Sequence, residues 1–193
     1  VSDVFVVIGK MPIEGFSKTR LALEIGKEQA YTFYEAFIQD FFSSYSMHMP
    51  STKLFFYGTP SIEHTERYFR LVFLRNNITD YYIGYQRNLP FFENLEVIFD
   101  DIAVRCSREA NVFAHLTGTD IPDFPFDVIK NVEKGEADVF IGPDMDGGFY
   151  YLGANLENGN LFKITQILQD DKCSVFEAVV KRCQELSLKV KVL

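Results

Sequence analysis

Apolar and polar positions along the chain fall into runs of two different periods. Asp3-Val4-Phe5-Val6-Val7-Ile8-Gly9 is apolar almost without a break and ends on glycine, the pattern of a central strand buried on both faces. A loop marked by Pro12 and Gly15 follows, from Lys10 to Lys18. From Gly26 to Tyr45, the residues Ala30, Phe33, Phe37, Ile38, Phe41 and Phe42 recur at spacings of three and four, which predicts an amphipathic helix. Thr52 to Tyr57 predicts a second strand, closed by Gly58-Thr59-Pro60. Between 61 and 89 the apolar pieces are short and aromatic, and Tyr68–Leu74 and Tyr81–Tyr85 read as edge strands or a packed loop.

Further along, Pro90 suits the first position of a helix, with Phe91, Leu95, Ile98, Phe99, Ile102 and Cys106 on one face as far as about Arg108. Asn111 to Thr117 predicts a strand stopped by Gly118-Thr119-Asp120. Asp123 to Lys134 predicts a short helix, with Gly135 as its C-terminal glycine. Ala137–Gly142 and Phe149–Gly153 predict strands on either side of a turn rich in Asp and Gly. Val175–Leu186 predicts a last helix and Leu188–Leu193 a last strand. Strands that alternate with helices imply an α/β fold with a mostly parallel sheet covered by helices on both faces. No repeat or linker interrupts the pattern, which implies a single domain over residues 1–193.

Composition changes this picture little. The chain has 20 Phe, 10 Tyr and no Trp, so its core is expected to be rich in Phe, which carries no polar atom to satisfy. A net charge of −8 argues against a nucleic-acid surface. It leaves room for a small phosphorylated ligand, because a few local cations or a divalent metal outweigh the global field. No apolar run approaches the ~20 residues that span a bilayer, and residues 1–9 read as a strand rather than a signal segment. Cys106, Cys173 and Cys183 form an odd set without a Cys-x-x-Cys pair, which fits a reducing, cytoplasmic setting.

In open α/β sheets, ligands bind outside the carboxyl ends of the strands, and three segments after strands carry candidate chemistry. The loop Gly9-Lys10-Met11-Pro12-Ile13-Glu14-Gly15-Phe16-Ser17-Lys18-Thr19-Arg20 places three cations in an acidic protein. Its spacing is not that of a P-loop: five residues separate Gly9 from Gly15, and Phe16-Ser17 separate Gly15 from Lys18. Arg20 suits a bidentate grip on a diphosphate, with Lys10 and Lys18 as point charges beside it. The plainer reading is a solvated loop whose cations pair with Glu14 and Glu24. Asp120, at a strand end, suits Mg²⁺ or Mn²⁺, which take carboxylate oxygens and leave positions for substrate phosphates; the plainer reading makes it a helix cap. Asp144-Met145-Asp146-Gly147-Gly148 sets two carboxylates before paired glycines, a turn that brings backbone close to a ligand or simply closes a hairpin. His48, His64 and His115 form no set, and no Gly-x-Ser-x-Gly elbow is present.

Taken together, Lys10-Met11-Pro12…Gly15…Lys18-Thr19-Arg20-Leu21, Gly118-Thr119-Asp120-Ile121-Pro122 and Gly142-Pro143-Asp144…Asp146-Gly147-Gly148-Phe149-Tyr150 resemble an uncharacterised glycosyltransferase-like family of the nucleotide-diphospho-sugar transferase (GT-A) fold. The first and third motifs are specific, the second weak alone. The resemblance implies a Rossmann-like three-layer α/β/α fold with a mixed, mostly parallel sheet, and a nucleotide-linked donor held with a divalent metal. It implies that Lys10, Lys18 and Arg20 hold donor phosphates, with Gly15, Gly147 and Gly148 among the donor-binding residues. Asp120 is then the metal-binding acid. Asp146 is the base or a further metal ligand, and Asp144 faces the acceptor beside it. Two segments depart from the family pattern. Gln86 is followed by Arg87-Asn88-Leu89-Pro90-Phe91-Phe92-Glu93 where members often carry Gln-Gly-x-x-Leu-Gly-Glu-Arg, and Thr165-Gln166 replaces a Trp-Ser/Thr. A nucleotidyltransferase and a non-catalytic nucleotide-binding protein stay open as alternatives.

Overall fold

The computed structural model describes residues 2–60, 63–109, 111–121 and 123–193. Seven strands form one mixed, mostly parallel sheet: β1 (Asp3–Lys10), β2 (Lys53–Thr59), β3 (Tyr81–Tyr85), β4 (Phe113–Gly118), β5 (Val139–Pro143), β6 (Phe149–Asn155) and β7 (Val190–Val192), in the order β3-β2-β1-β4-β6-β5-β7. This is the Rossmann-like α/β class that the alternating pattern implies. Two compact units are distinguishable, Val7–Tyr85 with Gly118–Lys130, and Val1–Val6 with Gln86–Thr117 and Asn131–Leu193.

The unit of Val7–Tyr85 and Gly118–Lys130 holds α1 (Thr19–Ile25), α2 (Lys27–His48), α3 (Glu63–Arg75) and α5 (Phe126–Ile129), and its strands β2 and β3 pair in parallel. Helix α2 buries Ala30, Tyr34, Ile38, Phe41, Phe42 and Tyr45. The expected stripe is therefore rotated: Phe33 is 53% exposed and Tyr34 takes the inner position at 3%. Behind it Phe42 meets Phe73 with ring centroids 4.9 Å apart, and Phe56 meets Phe69 at 3.9 Å. Each such ring contributes about 1.5–3 kcal/mol when fully buried.

Tyr68–Leu74 lies within helix α3 and not in a strand. Its buried residues Thr65, Phe69, Val72 and Phe73 share one helical face, a period of four, three and one that the dense aromatic residues obscure. Tyr81–Tyr85 is the edge strand β3. The helix expected over 123–134 is reduced to the single turn of α5, because Pro125 stands before its first residue and Gly135 comes long after its end.

The other unit holds α4 (Phe91–Arg105), α6 (Thr165–Asp171), α7 (Val175–Glu185) and a 3-10 segment, Leu156–Phe162. Strand β6 runs antiparallel to both β4 and β5, and β5 runs parallel to β7. Helix α4 buries Leu95, Ile98, Phe99 and Ile102 as its spacing predicts, while Phe91 is 52% exposed. Helix α7 opens on a capping box, in which Ser174 and Glu177 exchange hydrogen bonds with each other's backbone N–H, satisfying two donors that the first turn leaves free.

Candidate functional site

The loop after β1 is a folded turn. Ile13 O accepts from the N–H groups of Phe16 and Ser17 at 3.0 and 3.1 Å. The buried Ser17 hydroxyl accepts from Ile13 N at 2.8 Å and donates to Met11 O at 2.9 Å. Gly15 sits at φ +75°, a left-handed conformation that glycine adopts at no steric cost. Lys18 has φ 53° and precedes α1.

Tyr34 ties this loop to the segment after β4. Its hydroxyl takes the Lys10 N–H at 3.1 Å, lies 3.0 Å from Lys10 O, and shares a 2.8 Å hydrogen bond with the Thr119 hydroxyl. Thr119 N also donates to Ile8 O at 3.2 Å. Burial raises the Tyr34 phenol above its ordinary pKa, so the group stays neutral and acts as a fixed hydrogen-bonding node. The Lys18 ammonium lies 5.4 Å from the centre of the Tyr34 ring and 3.0 Å from Asp120 Oδ2. Asp120 is thus paired with Lys18 and does not cap a helix. The pair is partly open to solvent, with side chains 25% and 58% exposed, and contributes no more than about 1 kcal/mol. Lys10 and Arg20 are exposed, and their side chains have no hydrogen-bond or ion-pair partner among the described residues. The expected pairs with Glu14 and Glu24 do not form. Pro122, at the end of the second motif, lies outside the described residues.

In the other unit, Asp144–Gly148 is the loop of the β5–β6 hairpin. Asp144 Oδ1 accepts from Asp146 N at 3.0 Å and from Gly148 N at 2.6 Å, while Asp144 N donates to Gly148 O at 3.2 Å. Asp144 therefore builds the turn. A Cβ on Gly148 would stand 2.8 Å from Asp144 Oδ2, so a larger residue there would have to push that carboxylate aside. Gly147, at φ +86°, accepts from Phe176 N at 2.9 Å, which seats the turn on α7. Asp146 is exposed, and its carboxylate has no partner among the described residues. In the departing segment, the buried Asn94 accepts from Arg87 N at 2.7 Å and donates to Arg87 O and Leu89 O at 2.8 and 3.0 Å, so this sequence orders its own loop there.

Among the described residues no group of three or more His, Cys, Asp or Glu side chains is arranged to hold a metal. A magnesium or manganese ion that arrives with a diphosphate needs only one or two protein carboxylates. The single, half-open carboxylate of Asp120 fits that case. The histidines are dispersed, His48 in α2, His64 in α3 and His115 in β4. No helix among the described residues is long and apolar enough to cross a membrane.

Sequence comparison finds no matching family model and no matching curated protein. Structure comparison does find matches. All of this chain aligns with 80% of a chain from Desulfovibrio desulfuricans G20, provisionally named a nucleotide-diphospho-sugar transferase, at 21% identity and a TM-score of 0.79. The fold is that of the nucleotide-diphospho-sugar transferases. Two further structures share it more distantly. A nucleoside-diphosphate-sugar pyrophosphorylase from Vibrio cholerae RC9 matches at 10% identity and a TM-score of 0.57, covering 98% of this chain and 91% of that one. A 4-diphosphocytidyl-2C-methyl-D-erythritol synthase matches at 9% and 0.58, covering 100% and 87%. A nucleotide-diphospho-sugar transferase fold at these identities fixes the architecture, and one architecture hosts several reactions.

Tyr34, on α2, is the residue of the candidate site that spacing alone passes over. A signal for it exists: it is a hydroxyl-tipped residue on the Ala30-Tyr34-Ile38 stripe, and a buried hydroxyl needs a partner.

Proposed function

We propose that the protein is a transferase that moves a sugar from a nucleotide-diphospho-sugar donor, with Mg²⁺ or Mn²⁺ accompanying the diphosphate. The observation that carries this reading is the close pairing of Lys18 with Asp120 beside the unpartnered Lys10 and Arg20. It sets one carboxylate against one cation of a loop that carries two more, and a metal–diphosphate offers the complementary charges. Asp120 would hold the metal, whose chemistry is to neutralise charge on the departing diphosphate. Arg20 and Lys18 would carry the rest of that charge, with Lys10 and the backbone at Gly15 completing the grip. Asp146, a free carboxylate, would serve as the base for the acceptor hydroxyl or as a further metal ligand, on the turn that Asp144, Gly147 and Gly148 build. Three free cysteines, Cys106, Cys173 and Cys183, support a cytoplasmic location.

The test is to incubate the protein with UDP-, GDP- and ADP-sugars in the presence of Mg²⁺ or Mn²⁺ and to identify the phosphate product. Release of a nucleoside diphosphate that Asp120→Ala abolishes supports the reading; no binding and no turnover with any donor ends it. A second reading, a nucleotidyltransferase acting on a phosphorylated small molecule, draws on the likeness to the pyrophosphorylase and synthase structures. Its signature is pyrophosphate release from a nucleoside triphosphate. Binding without product under either metal would instead indicate a non-catalytic nucleotide-binding protein.

A further inference from the structure

Lys18 and Asp120 are each other's partner in this structure, although each is proposed to serve a different part of the ligand. Asp120 Oδ2 is held by the Lys18 ammonium at 3.0 Å, and its other oxygen turns back over Gly118, where a Cβ would stand 2.9 Å from Oδ1. Any cation that binds Asp120 through Oδ2 would therefore compete with the lysine. Conversely, the carboxylate occupies the ammonium that would meet a phosphate. Both halves rest on one side chain. The Tyr34 ring lies beneath the ammonium at 5.4 Å, and its hydroxyl holds Thr119, the residue before Asp120, at 2.8 Å. A buried tyrosine, 3% exposed, is a fixed seat, whereas the ion pair above it is open to solvent and weakly held.

We infer that the Lys18–Asp120 pair is a latch that keeps cation and phosphate affinity low until both arrive together. A divalent cation on Asp120 must displace the ammonium, and the displaced ammonium is then free for a phosphate; a phosphate on Lys18 likewise frees the carboxylate. Each ligand removes the obstacle to the other, and by linkage the gain is equal in both directions. The latch suppresses capture of free metal or free phosphate and favours the metal–diphosphate pair. This inference rests on the proposed donor site but makes its own claim about Lys18, Asp120 and Tyr34.

The test uses the full chain with two simple probes, Mn²⁺ alone and inorganic pyrophosphate with chelator, each titrated by calorimetry. Lys18→Met should raise Mn²⁺ affinity by up to about fivefold, because the cation no longer competes with an ammonium. Asp120→Asn should raise metal-free pyrophosphate affinity by a similar factor. Arg20→Met is the control for simple charge removal: it changes net charge as Lys18→Met does but breaks no ion pair. An Mn²⁺ gain in Lys18→Met that exceeds that of Arg20→Met by about twofold or more supports the latch, and a smaller excess counts as equal. Equal gains, no gain, or no Mn²⁺ binding by Lys18→Met overturns it. Because neither probe is a nucleotide, the donor reading fails separately, by the protein binding no nucleoside diphosphate while both probe results hold.

Discussion

The loop after β1 presents three candidate side chains and the hairpin loop at Asp144–Gly148 two, and they use them in opposite ways. In the first, the scaffold is built from residues outside the candidate set. Ser17 closes the turn and Tyr34 binds the backbone of Lys10 and the hydroxyl of Thr119, so the side chains of Lys10 and Arg20 have no partner among the described residues and Lys18 is held by a solvent-open ion pair over the Tyr34 ring. In the hairpin, a candidate is itself the scaffold: Asp144 accepts two backbone N–H groups, leaving Asp146 as the free carboxylate. Side chains that are already satisfied hold geometry, and those that are not are available for a ligand. On that ground Lys10, Arg20 and Asp146, with the solvent-open Lys18–Asp120 pair, are the side chains to test for chemistry, and Tyr34 and Asp144 those to test for support.

The largest effect is expected at Asp120. Asp120→Ala should lower transfer roughly 100- to 1,000-fold, the range seen when one electrostatic stabiliser of a transition state is removed. Its effect on stability should stay under about 1 kcal/mol, since only a half-open ion pair is lost. Steady-state rates beside thermal unfolding read both numbers, and a large stability loss would move Asp120 to the supporting group.

Tyr34→Phe should do the reverse, costing about 1–3 kcal/mol of stability in denaturant unfolding, because the Thr119 hydroxyl and the Lys10 backbone lose a buried partner. An unchanged midpoint would remove Tyr34 from the scaffold. A smaller effect is expected at Asp144. Asp144→Ala should destabilise by about 1 kcal/mol, the usual loss when a side chain that caps backbone N–H groups is removed. Asp144→Asn should recover most of it, since the amide oxygen still accepts. If the two variants lose activity equally with no change in unfolding, the carboxylate acts in chemistry and not in the turn. The smallest effect belongs to Arg20→Ala, whose stability should match the parent within about 0.5 kcal/mol, as for a surface side chain without partners.

Much of the fold is legible in the sequence. The apolar run at Val4–Ile8, the face Leu95-Ile98-Phe99-Ile102 and the turn glycines all carry local signals that the folded chain obeys. Helix α3 was obscured because six of its residues, from Tyr68 to Leu74, are aromatic or aliphatic, which masks a period that only Phe69, Val72 and Phe73 satisfy by burial. The rotation of α2 that buries Tyr34 instead of Phe33 was hidden for a related reason: both are aromatic, and only the partners Lys10 and Thr119, distant in sequence, distinguish them. The candidate residues themselves were readable as residue types after strands. Their pairings were not, because the bond from Lys18 to Asp120 spans 102 positions and nothing local encodes it.

Calorimetric titration of UDP, GDP and ADP with Mn²⁺ into the parent protein and Arg20→Ala shows whether the loop after β1 grips a nucleoside diphosphate. One of the three should bind the parent and raise its stability by about 2.7 kcal/mol at 100 times its dissociation constant, and Arg20→Ala should bind it at least about tenfold more weakly. Binding of none of the three, or equal binding by both proteins, would contradict the account.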